Sequence, residues 1–96
     1  MSLAPQIINV EVTSEDIEQG QRLNLRSCPV ARAMTRATGQ TVSVSGAGAW
    51  LYAKHNDKQV MAVYQFPNHV VSNIIDFDNG KDMTPMSFTA TLKGEV

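Results

Sequence analysis

The chain is poor in the residues that most often announce a chemistry. Its 96 residues include one cysteine and two histidines. A lone thiol forms no internal disulfide and suits a reducing cytoplasm, where the chain is expected to act. Cys28, His55 and His69 fall at no zinc-ligand spacing, and Asp76, Asp78 and Asp82 lack the regular positions and closing glutamate of a calcium loop, so no metal or other cofactor is expected. There is no basic surplus: eight Lys and Arg face nine Asp and Glu, for a formal net charge of −1. That balance argues against a general nucleic-acid binder. No apolar run reaches the roughly 18 residues of a spanning helix, and the opening MSLAPQIINV lacks a basic-then-apolar secretory pattern. Aromatic residues make up only 6%, and there is no repeat or low-complexity tract.

What remains is an ordinary globular composition, 43% hydrophobic, long enough for one domain and one core. The domain is expected to span residues 1–96, with 1–6 disordered or part of an added leader. Its charge is unevenly laid out. Glu11, Glu15, Asp16 and Glu18 come first, and Arg22, Arg26, Arg32 and Arg36 follow without an acid between them.

The secondary-structure signals are clearest at the two ends. Ile8, Val10 and Val12 alternate with Asn9 and Glu11, as in a half-buried strand. Thr13-Ser14-Glu15-Asp16 reads as a capping box opening a short helix that Gly20 stops. Ser27 or Cys28 can cap a second helix, with Pro29 in its first position and Gly39 at its end. Val30, Ala33, Met34 and Ala37 form its apolar stripe, leaving Arg32 and Arg36 on an exposed face. Thr41–Ser45, Ala49–Lys54 and Gln59–Phe66 read as three strands, joined by Gly46-Ala47-Gly48 and by a polar turn at His55-Asn56-Asp57-Lys58. Pro67 or Asn68 opens a third helix that Asn79-Gly80 closes. A last strand alternates through Met86, Phe88, Ala90 and Leu92. The fold class is therefore α+β in the order β-α-α-β-β-β-α-β, a mainly antiparallel sheet with the helices on one face.

Few residues point to chemistry. Cys28 at a helix start, between Arg26 and Arg32, has the setting of an activated thiolate. No base or oxyanion site accompanies it except His55 or His69, so a small buried cap residue is the better reading and no enzyme is expected. Gly46-Ala47-Gly48 lacks the Lys-Ser/Thr of a phosphate loop and precedes a strand. Arg22, Arg26, Arg32 and Arg36 could bind phosphates or carboxylates, but read more simply as a solvated face pairing with Glu15 and Glu18. Trp50, Tyr52 and Tyr64 on adjacent strands form either an interface patch or cross-strand core pairs. Met34, Met61, Met83 and Met86 read as core filling.

Two segments carry a family likeness. Ile17 and Gly20 lead to Cys28, Pro29, Val30, Ala31 and Ala33, and later come Phe77, Asp78, Gly80, Pro85 and Phe88. This arrangement resembles a group of small uncharacterised bacteriophage and prophage proteins with a C-P-V-A-x-A helix and a closing F-D-x-G-x-x-x-x-P-x-x-F segment. The resemblance implies a mobile-element origin and action inside a bacterial host, and it transfers no functional residue. Together with the absent catalytic constellation, it leads to the expectation of a non-enzymatic accessory protein. Such a protein would bind a host or phage protein or a second copy of itself, and could inhibit a host system, including as an anti-CRISPR protein. The alternatives are a nucleic-acid-associated protein using the four arginines and a cysteine enzyme or redox sensor at Cys28.

Overall fold

The computed structural model describes residues 5–22, 24–46, 48–55 and 58–95, with backbone only at 53–55 and 58–60. Residues 1–4, the turn at 56–57 and the His55 side chain lie outside that description. The described residues follow the expected order: β1 (Ile7–Val12), α1 (Ser14–Gln19), α2 (Pro29–Thr38), β2 (Thr41–Ser45), β3 (Gly48–His55), β4 (Lys58–Gln65), α3 (Asn68–Asp78) and β5 (Met86–Glu95).

The strands form one antiparallel sheet in the order β1-β5-β4-β3-β2. β2, β3 and β4 make the meander that their short connections require, and the two terminal strands lie side by side. A register shift at Val63 and Tyr64 in the β4–β5 pairing adds local twist. The sheet curls far enough for α2 to touch both outermost strands, β1 and β2.

Strand alternation decides what lies inside the curl. Ile8, Val10, Val12, Val42, Val44, Ala49, Leu51, Ala62, Tyr64, Phe88 and Ala90 point inward and are buried. They share one core with Val30, Ala33 and Met34 of α2 and with Val70, Ile74 and Phe77 of α3. Ile17 of α1 packs against the same cluster, so the helices all serve one face of the sheet. Met34 and Met83 fill the core as their flexible side chains suggest. Met61 does not: its place opposite Tyr52 puts it on the outer face, where it is only partly buried. Ala37 also departs from the expected stripe and is exposed, because α2 contacts the sheet through its earlier turns.

The helix ends are built largely as the sequence implies. Thr13 and Asp16 exchange both bonds of the capping box. Cys28 caps α2, its Sγ accepting from the Ala31 amide at 3.4 Å, and Pro29 follows at the first position. Gly39 closes α2 at φ 69° and Gly80 follows α3 at φ 93°, both left-handed. Around Gly80 a complete Schellman motif forms: the Lys81 amide donates to Asp76 and the Gly80 amide to Phe77. Pro67 precedes α3 as its cap and gives no side-chain bond. Gly20 stops α1 as expected, with an extended backbone at φ −71°. Glycine is needed there for space, since a Cβ would sit 2.6 Å from the Asp16 carbonyl oxygen and 2.7 Å from Pro29 Cδ.

Both outer strands have part of their open edge occupied. On β2 the Val44 amide donates to the Leu25 carbonyl at 2.7 Å, and on β1 the Glu11 carbonyl accepts from Arg36 at 2.8 Å. Such plugs reduce strand-to-strand aggregation. No described helix is long and apolar enough to cross a membrane.

Candidate functional site

Asp16 organises the charges of the first forty residues. It sits at the third position of α1, where its carboxylate accepts the Thr13 amide at 3.0 Å. Arg36, reaching down from α2, closes a two-pronged pair on it with bonds of 2.7 and 2.8 Å. Arg32 Nε stands 3.7 Å away. The Asp16 side chain is 1% exposed, so its charge depends on these partners. The Arg36 hydrogen bonds hold the carboxyl below its ordinary range, outweighing the upward push of burial, and Thr13 adds to the lowering.

Arg22, Arg26 and Arg36 are exposed and Arg32 is half-buried, as a solvated face requires, but the acid they meet differs from the expected Glu15 and Glu18. Arg32 and Arg36 converge on Asp16 instead. Arg22 is engaged elsewhere: it stacks 4.1 Å from the centroid of the Phe77 ring, donates to the Phe77 carbonyl and donates to the Lys81 carbonyl at 2.9 Å. α3 has no basic residue in its own last turn, and Arg22 supplies the cation that its carbonyl end favours. Arg26 remains exposed, 5.9 Å from the centroid of the Tyr52 ring. Arg26, Arg32 and Arg36 line one cleft of about 470 Å³ with Glu15, Asp16, Ser27 and Thr35, and Arg22 does not join them.

The second feature is the outer face of the meander. Register sets Trp50 opposite Val63 and Tyr52 opposite Met61, with Ser43 and Thr41 beyond them on β2. Trp50, Tyr52, Met61 and Val63 are all partly buried, and the three helices lie on the opposite side of the sheet. Tyr64 does not join this patch. It pairs with Ala49 rather than Trp50, which turns its ring inward, and it is fully buried with its hydroxyl donating to the Pro5 carbonyl at 2.6 Å. Burial pushes the Tyr64 phenol up, with a smaller push from Glu95. Met61 and Val63 were not singled out by the sequence as surface anchors. Only the cross-strand register, which puts them beside the aromatics, identifies them.

Cys28 is 5% exposed. Burial raises its thiol above the ordinary range despite amide donors from Ala31 and Val30 that favour the thiolate. His69 is exposed on α3. No group of three His, Cys, Asp or Glu side chains is placed to hold a metal among the described residues. Comparison with protein-family models, with curated proteins and with solved structures finds no match.

Proposed function

We propose that this chain is a non-enzymatic accessory protein that acts by binding a protein partner, with the outer face of β2, β3 and β4 as its docking surface. One observation carries the reading: Trp50, Tyr52, Met61 and Val63 form a contiguous, partly buried row on a sheet face that no described helix covers. Apolar surface left in water favours being covered. Trp, Tyr and Met are also side-chain types enriched in interface cores. The buried Cys28 thiol, with its titration pushed upward, supports a binding role over thiol chemistry. The phage or prophage setting rests on the resemblance of the Cys28–Ala33 and Phe77–Phe88 segments alone. In that setting, a host system that the protein inhibits is one candidate for the partner, beside a phage protein or a second copy of the chain.

Affinity capture from a bacterial lysate tests this, with wild type and a Trp50→Ala variant run side by side and folding checked by circular dichroism. Wild type should enrich a partner that the variant holds at least about tenfold more weakly. Recovery of the same proteins at the same level by both would overturn the reading. A concentration-dependent dimer abolished by Trp50→Ala would instead identify the partner as a second copy of this chain.

A further inference from the structure

The outer face and the arginine cleft share a residue. Arg26 lines the cleft and also stands over Tyr52. The cleft sets three guanidiniums against the carboxylates of Glu15 and Asp16, and Glu11 also acts on Arg36 from just outside it, so the acids gather at the Arg36 end. Its donors differ in how far they are already occupied. Arg36 is held by Asp16 and by the Glu11 carbonyl. Arg32 meets Asp16 through Nε at 3.7 Å and reaches Gln19 only at 3.5 Å. Arg26 has no carboxylate against it among the described residues.

We infer that the cleft between Arg26 and Arg32 takes a single carboxylate, the side chain of an Asp or Glu on the protein partner whose apolar neighbours lie on Tyr52 and Trp50. This rests on the docking surface proposed above and gives that partner a chemistry. Charge complementarity selects it. Arg26 and Arg32 are the guanidiniums of the cleft least engaged by acids, and guanidinium forks bind carboxylates with defined geometry. A nucleic-acid backbone fits less well, because it needs several phosphate contacts and would bring multiple negative charges against Glu15 and Asp16. The hydroxyl-bearing Ser27 and Thr35 line the same cleft and add neutral donors that suit an oxygen ligand.

The test is an NMR titration following the arginine Nε–Hε signals, with three probes at matched ionic strength: acetyl-glutamyl amide, inorganic phosphate and a ten-nucleotide oligothymidylate. Saturable shifts confined to Arg26 and Arg32 are expected with acetyl-glutamyl amide. Arg26→Met, in an exposed loop position, and Arg32→Lys should each weaken binding about tenfold or more. Non-saturable shifts, or shifts equal to those produced by chloride, would overturn the inference. Tighter, steeply salt-dependent binding of the oligothymidylate would assign the cleft to nucleic acid instead, and tighter binding of inorganic phosphate would assign it to a free phosphate. The two proposals fail separately. Partner capture that depends on Trp50 without carboxylate binding removes only the cleft, whereas carboxylate binding without capture removes only the docking face.

Discussion

The segment from β1 through α2 and the meander that follows it use their polar and aromatic residues in opposite ways. In the first, nearly every distinctive side chain is engaged within the chain. Thr13 and Asp16 cap each other, Arg36 and Arg32 converge on Asp16, Arg22 closes α3 and Cys28 caps α2. In the meander, Trp50, Tyr52, Met61 and Val63 face away from the core with no helix over them. The difference shows that a conspicuous charge pattern can be an internal device, and that the proposed docking face draws Met61 and Val63 from positions that stand out less in the sequence.

The largest effect should come from breaking the first region at its centre. Asp16→Ala removes the reciprocal cap and leaves Arg36 and Arg32 without their shared carboxylate, and should lower unfolding free energy by about 2–4 kcal/mol, read from urea denaturation. Asp16→Asn sharpens this through pH. The folded carboxyl titrates below its ordinary value of 3.8, so its contribution is complete above that value and fades as pH falls through the lower folded one. The Asn variant should lose less stability on acidification than wild type.

Much of the fold was legible because its signals are local. The capping box at Thr13–Asp16, Pro29 at a helix start and the alternation of Phe88, Ala90 and Leu92 each need only neighbouring residues to be read. The candidate site was less legible because it depends on distant partners. Arg22 meets Phe77 across 55 positions of sequence, and no pattern within one helix reports that. The sequence left Tyr64 open between the Trp50 patch and the core for a related reason. The side-chain period in a strand is two, so the unknown one-residue choice of register decided which face its ring occupied.

A smaller effect is expected at the contact that joins the first region to the end of the chain. Arg22→Ala should cost about 1 kcal/mol and speed amide hydrogen exchange at Gly80 and Lys81, where the Schellman bonds form. Unchanged exchange there would mean that Arg22 rests on α3 without holding it.

The smallest effect should appear on the outer face, and it bears most directly on the division between internal device and proposed docking surface. Met61→Lys should shift urea unfolding by no more than about 0.5 kcal/mol, because the lysine stem can lie along the sheet with its ammonium in water. Asp16→Ala, measured in the same buffer, should show its several-fold larger loss. If Met61→Lys destabilised the protein as much as Asp16→Ala, the outer face would be part of the core and the docking surface would not exist.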